Sequence, residues 1–185
     1  NLMQRFWQFY SALDQSPHRA CSEFLFEQTE VPETTEELPA LRLATGADLD
    51  AIIRINAQMI ISECGIDPLV RDPQGFRARA ARRIEQGRVW VWIKDGKLIF
   101  KADIFAQTPA MSYLEGINVH ALYRGMGYGL RCMKSLSTIL LKRSSALCLL
   151  VNSHKQELCS FYEKAGFVLR GTYDTFYLDA RLTDD

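Results

Sequence analysis

The sequence predicts an α/β domain, and three observations carry that prediction. From Leu41 onward, short extended apolar segments alternate with segments whose apolar residues recur at helical spacing. One extended segment, ALCLLVN (146–152), is almost wholly apolar, as a strand covered on both faces must be. A glycine-rich turn, YRGMGYG (123–129), sits between the end of a strand and the start of a helix; glycines at this density do not belong inside either element.

Composition narrows the function classes. The chain has 185 residues, 48% hydrophobic and 24% charged, which suits one domain with a real core. Its 22 Lys+Arg balance 22 Asp+Glu, so no overall field recruits nucleic acid or an anionic membrane. No apolar run approaches the roughly 20 residues of a membrane span, and no signal-peptide pattern is present. The expectation is a cytoplasmic protein without a nucleic-acid or membrane partner. Five cysteines, Cys21, Cys64, Cys132, Cys148 and Cys159, are odd in number and lack C-x-x-C spacing. They read as mostly buried, reduced thiols.

In chain order, residues 1–20 begin with aromatic residues and suggest a short helix, and EFLFEQ (23–28) alternates as a strand does. TEVPETTEELPA (29–40) carries two prolines and no apolar period, and reads as a linker. This divides the chain into a helix–strand segment with linker at 1–38 and a compact domain at 39–181. LRLAT (41–45) is a short strand. Thr45 and Asp48 form a helix N-cap pair ahead of a helix carrying Leu49, Ile52, Ile53, Ile60 and Ile61 at helical spacing. A loop follows at 65–75, then a helix to Gly87 whose Arg77, Arg79, Arg82 and Arg83 read as mainly a solvated face. Asp95-Gly96 marks a hairpin between two strands. MSYLEGINV (111–119) is a strand; after the glycine turn, Leu130, Met133, Leu136 and Leu140 share one helical face. ALCLLVN leads to a helix ended by Gly166, and FVLRGTYDTFYL closes the chain in extended form.

The glycine turn suits an anion. A helix N-terminus offers unpaired N–H groups and partial positive charge, and glycines before it let a phosphate approach the backbone. The turn matches neither G-x-G-x-x-G, because Leu130 stands where the third glycine belongs, nor the P-loop. It fits R-x-x-G-x-G: Arg124, Gly127, Gly129.

With an apolar strand before it, an amphipathic helix after it, then LLVN and FYEKAGF, the segment from Leu41 to about Leu178 resembles the GNAT superfamily of acyl-CoA-dependent N-acetyltransferases. NVHALYRGMGYGLRCM resembles that family's pyrophosphate-binding motif, and LLVNSHKQELCSFYEKAGF its next strand–helix motif. GIDPL, RRIEQGRVWVW and LIFKADI are similar to a bacterial group of two-lobed acetyltransferases. Residues 1–38 would then be the tail of an upstream lobe, which a chain starting at Asn1 fits.

The resemblance implies a mixed, twisted sheet of six or seven strands with helices on both faces. MSYLEGINV and ALCLLVN, its fourth and fifth core strands, would splay apart at their C-terminal ends. Acetyl-CoA would enter that gap as the acyl-donor cosubstrate, with no metal. Its pantetheine arm would pair with Ile117, Asn118 and Val119, and the N–H groups of Gly125, Met126, Gly127, Tyr128, Gly129 and Leu130 would hold its pyrophosphate beside Arg124. The Val119 N–H is the family-style donor to the thioester oxygen, and Tyr162 stands where the family carries the acid that protonates the departing thiolate. Strand alternation from Val119 points Glu115 the same way, where it would relay the amine's proton through water. Asn152, ending its strand, would bond the pantetheine or order a water. Lys155, Gln156, Glu157 and Leu158 depart from the family pattern, and Lys155 is a substitute contact for a CoA phosphate.

Each residue also has a structural reading. Tyr162 can pack its ring on the sheet, Glu115 can form a salt bridge across it, and Asn152 can cap a strand end. His120 and His154 read as loop residues, because no third ligand stands at metal spacing. The functional expectation is direct acetyl transfer to an amine acceptor, a small molecule or a protein or peptide, by a chain free to form a homodimer. The alternative is a non-catalytic acyl-CoA sensor or regulatory lobe. Nucleic-acid binding through the arginine-rich helix is weakened by the balanced charge. Glu63, Asp67 and Asp72 lie in the segment that would cover the acceptor.

Overall fold

The computed structural model describes residues 2–12, 19–33, 39 and 41–177. Most of the expected linker and the domain's expected end at 178–181 lie outside the described residues. The elements run α1 (Leu2–Ala12), β1 (Arg19–Gln28), β2 (Arg42–Leu43), α2 (Leu49–Cys64), α3 (Pro68–Arg71), α4 (Pro73–Glu85), β3 (Val89–Lys94), β4 (Lys97–Gln107), β5 (Met111–Val119), α5 (Tyr128–Leu140), β6 (Ala146–Asn152), α6 (Gln156–Lys164) and β7 (Val168–Tyr177). The seven strands form one mixed sheet in the order β2-β3-β4-β5-β6-β1-β7. Only β5 and β6 run parallel.

Local signals explain most of these elements. Asp95 and Gly96 take φ of 51° and 71°, the left-handed pair that a tight hairpin between β3 and β4 requires. At the start of α2, Asp48 accepts from the Thr45 N–H at 2.8 Å and from its hydroxyl at 3.2 Å. The segment at 65–75, expected as loop, contains α3 because Asp67-Pro68 and Asp72-Pro73 each pair an N-cap with a first-turn proline. Asp67 accepts from Leu69 N and Asp72 from Gly75 N.

Helices cover both faces. On one, Met133, Leu136 and Leu140 of α5 and Tyr162 of α6 pack with Phe167 against Phe100, Leu114 and Leu149 of the sheet. On the other, Ile52 of α2 and Ile84 of α4 pack on Val89, Val91 and Leu98. Ile61, expected on the apolar face of α2, is exposed near the helix's C-terminal end. No helix among the described residues is long and apolar enough to cross a membrane.

The strand at 19–28 lies inside the sheet, between β6 and β7, so the sheet draws on residues from both sides of the boundary expected at residue 39. Phe26 is fully buried in the main core. Gln28, also buried, donates to the Ala165 carbonyl at 3.2 Å and accepts from the Ser137 hydroxyl at 2.6 Å, which ties β1 to both helices on that face. Both ends of its amide are satisfied, as burial demands. On the far edge, the Trp7 ring of α1 sits 4.3 Å from that of Phe176.

Asp48 also receives both amino groups of Arg42, at 2.7 and 2.9 Å, which links β2 to the α2 cap. The Arg42 hydrogen bond, helped by Thr45, outweighs burial and lowers the Asp48 carboxyl to about 2. A depressed folded-state value stabilises the fold above the ordinary carboxylate range, and that contribution fades as pH falls toward 2. Asp48→Asn should therefore cost about 2 kcal/mol at neutral pH. Chemical denaturation across pH should show the gap between wild type and variant closing between roughly pH 4 and pH 2.

Candidate active site at the strand divergence

β5 and β6 pair through Met111–Ala146, Ser112–Leu147 and Tyr113–Cys148, then part. Beyond that point β5 has a free edge. His120 N donates to Ile99 O of β4 at 2.8 Å. Because N–H directions alternate along a strand, the Val119 N–H turns away from β4 toward the gap. The same alternation turns Asn118 toward β4. Asn118 lines the gap's cavity, but its backbone does not offer the edge expected of it.

The glycine turn closes the end of this gap. Gly125 and Gly127 both adopt φ of 75°, with open space where a side chain would start. Gly127 caps α5, and among the described residues none of the N–H groups of residues 125–130 donates to a backbone carbonyl. Gly129 is needed for a different reason. A Cβ there would stand 2.9 Å from Val119 Cγ2 and 3.3 Å from Phe161 Cε2, so glycine lets α5 begin directly against β5 and α6. Arg124 donates through Nε to Val119 O at 3.0 Å, which leaves its two amino groups facing solvent beside the turn. Together these residues border a cavity of about 850 Å³ lined by Ile117, Val119, Arg124, the glycines, Leu130, Lys155 and Tyr162. Met126 and Tyr128 do not line it with their side chains. The Tyr128 hydroxyl instead accepts from Lys94 at 3.2 Å, and its ring lies under Arg131.

Tyr162 stands at the back of the gap. It is 7% exposed and packs edge-on against Phe161 and Phe167. Burial pushes its phenol above the ordinary range, so it keeps its proton at neutral pH. Among the described residues its hydroxyl has no hydrogen-bond partner. A second cavity, of about 280 Å³, adjoins the first, sharing Glu63, Ile117, Lys155 and Tyr162 with it, and is lined also by Glu23, Glu115 and Asn152. Asn152 accepts from His154 N at 3.0 Å, capping the turn after β6. His120 caps the 3-10 turn at Ala121–Tyr123 through Leu122 N, and no group of metal-binding side chains occurs among the described residues.

Glu115 does not point the way alternation suggests. Leu114 and Ile117 both pack on the α5 face although three residues apart, a parity that only an extra residue allows. The register shows it: Lys101 opposes Asn118 and Asp103 opposes Glu115, with Gly116 at φ of 56°. This bulge turns Glu115 to the α4 face, where Arg83 Nη1 donates to it at 2.5 Å. Arg83, expected in a solvated row, also lies 3.5 Å from Asp103.

Lys101 and Asp103 are the residues that sequence reasoning missed. Both are buried; the ammonium donates to Asp103 at 2.8 Å and to the Gly116 carbonyl at 2.9 Å. Burial lowers the lysine's pKa against the pull of Asp103. Two charges two residues apart in an otherwise apolar stretch, LIFKADIF, were the available signal, since that spacing shares a face.

A family model described as the acetyltransferase (GNAT) family matches residues 58–167, more than half of the chain. The chain belongs to the GNAT acetyltransferase family. No curated protein matches its sequence. Among solved structures it is similar to a GNAT-family acetyltransferase from Colwellia psychrerythraea, with a TM-score of 0.67 and 16% identity over 92% of this chain and 62% of that one. It is also similar to ribosomal-protein-alanine N-acetyltransferase from Brucella melitensis, with a TM-score of 0.58 and 21% identity over 71% and 86%. A predicted acetyltransferase with acetyl-CoA from Clostridium acetobutylicum gives a TM-score of 0.53 and 17% identity over 70% and 89%. At these identities the likeness is one of fold. This GNAT chain spans less than two thirds of the Colwellia protein.

The buried network gives a test of how the bulge is held. Lys101→Met leaves the buried Asp103 carboxylate only Arg83, at 3.5 Å, and should destabilise the fold by about 3 kcal/mol or more. The double variant Lys101→Met/Asp103→Leu removes both charges and should recover most of that loss in a urea titration.

Proposed function

We propose that this chain transfers an acetyl group from acetyl-CoA to an amine, by direct attack and without a covalent enzyme intermediate. The observation that carries the reading is the coincidence of three features at one gap: the free β5 edge at Val119, the unpaired N–H groups of the glycine turn, and the protonated phenol of Tyr162, which lines both cavities. The residues present fit acetyl-CoA. The cradle is open where Cβ atoms of Gly125 and Gly127 would stand, which leaves backbone N–H groups accessible to a pyrophosphate. Arg124 and Lys155 border the same cavity and suit phosphate groups.

Acetyl-CoA supplies the activated acyl carbonyl. The Val119 N–H, directed at the gap, suits the developing oxyanion. The attacking amine must be neutral, while a free alkylamine holds its proton to a pKa of about 10.4, so that proton leaves to water in the cavity. As the C–N bond forms and the C–S bond breaks, the sulfur takes a proton from Tyr162. The proton lost by the amine replaces it by way of solvent. Glu115, paired with Arg83, has a structural duty, and the observations favour solvent over this carboxylate as the amine's proton acceptor. Cysteine nucleophiles are disfavoured: burial pushes the Cys132 thiol up to about 12, and burial likewise raises Cys148 and Cys159.

Acetyl-CoA should raise the melting temperature, because a ligand of the folded state stabilises it by mass action. Gly127→Val forces a branched side chain into left-handed backbone and into the cradle. Acetyl-CoA affinity measured by calorimetry should fall more than tenfold, about 1.4 kcal/mol, with Arg124→Ala weakening it less. Normal binding by Gly127→Val would move the pyrophosphate site elsewhere.

Tyr162→Phe separates an enzyme from an acyl-CoA sensor. A general acid contributes roughly 10²–10⁴-fold to rate. Loss of the hydroxyl should lower kcat at least about tenfold while acetyl-CoA affinity stays within about threefold. Equal kcat would make the tyrosine a packing residue, and matched losses would make it a binding contact.

A further inference from the structure

Resting on the acetyl-transfer reading, the second cavity is where an acceptor meets Tyr162, and its walls name the acceptor's chemistry. Of the three acids in the segment expected to cover the acceptor, Asp67 and Asp72 are used as helix caps. Glu63 alone of the three lines the cavity, joined by Glu115 of β5 and by Glu23 of β1. Lys155 is the one cation among the lining residues. Glu115 faces Arg83, but Glu23 accepts from the neutral Thr175 hydroxyl, a bond that leaves its charge in place. Tyr162, more than nine-tenths buried, lines the same cavity, and its hydroxyl has no partner among the described residues. That group is an independent pointer to a ligand in this cavity.

Carboxylates beside the attacking nitrogen would hold its proton on and oppose the reaction. Their attraction helps only when it falls on a second positive charge in the same molecule. Met59, Leu149 and Leu158 also line the cavity and suit a hydrocarbon spacer. At about 280 Å³ the space sits at the small end of ligand sites, which run from roughly 300 Å³.

We propose that the acceptor is a small diamine: one ammonium held by Glu23, the other nitrogen, deprotonated, delivered past Tyr162 to the acyl carbon. The amide forms at that second nitrogen, and the anchored ammonium leaves unchanged.

The test compares acetylation of an alkylamine, the α,ω-diamine of equal length, the matching ω-amino acid and a lysine-containing peptide. The diamine should lead by about tenfold or more in kcat/KM, with the ω-amino acid last. Glu23→Gln should raise KM for the diamine about tenfold, more than for the alkylamine. Glu23→Lys should invert the order of diamine and ω-amino acid, an effect that a packing role for Glu23 would not produce. Alkylamine and diamine used equally, preference for the peptide, or a diamine KM unchanged in Glu23→Gln would each overturn the proposal. The melting temperature with acetyl-CoA separates the two levels. A rise in wild type with no diamine preference sinks this proposal alone, whereas no rise sinks the acetyl-CoA reading with it.

Discussion

Two parallel strands that part after three residue pairs create this molecule's cleft. β6 is bound to β1 along six pairs, Glu23–Asn152 through Gln28–Leu147, and to β5 along only three. The better-paired edge decides where β6 goes, and β5 is left with backbone groups that no strand satisfies. Buried N–H and C=O groups need partners, so such an edge persists only where water or a ligand can reach it. α5 begins at the same place because Gly129 lets it pack against Val119 and Phe161. Strand edge and helix terminus thus bring unpaired donors to one cavity by backbone geometry, with few side chains committed to the task.

The bulge at Gly116 is the second constraint. An extra residue in β5 reverses the facing of everything on one side of it, so Glu115 meets α4 while Ile117 and Val119 meet α5 and α6. Lys101 fills the space beneath the bulge, bonding the Gly116 carbonyl, and a Cβ at Gly116 would stand 2.9 Å from its ammonium. A buried ion pair adds little stability once desolvation is counted. Its use here is geometric: the charge has to be met by Asp103 and by that carbonyl, and only the bulged register supplies both. Asp103 Oδ1 nevertheless remains buried without a partner, a residual cost inside the network.

Much of the fold was legible because its signals are local. The Asp95-Gly96 hairpin, the Thr45–Asp48 cap and the apolar face of Met133, Leu136 and Leu140 each act within one turn or one helix. In the candidate site the glycine turn, Val119, Lys155 and Tyr162 fall together around one cavity, and each belonged to a motif visible in a short stretch. Glu115 and Asn118 were harder. The facing of Glu115 depends on a bulge that a single glycine does not announce, and the backbone direction of Asn118 depends on its pairing with β4. Glu23 could not be associated with the site at all, since it lies more than eighty residues before β5 in the chain.

By itself the sequence determined most of the helices and strands, which turns need glycine, and which short stretch could cradle an anion. These depend on the backbone preferences of a few adjacent residues. Only the tertiary structure decided that β1 enters the sheet between β6 and β7, that β5 and β6 separate, and that Glu23, Glu63 and Glu115 line one cavity with Tyr162. Which strand pairs with which is settled by competition for edges among segments distant in the chain, and a local pattern carries no record of that competition.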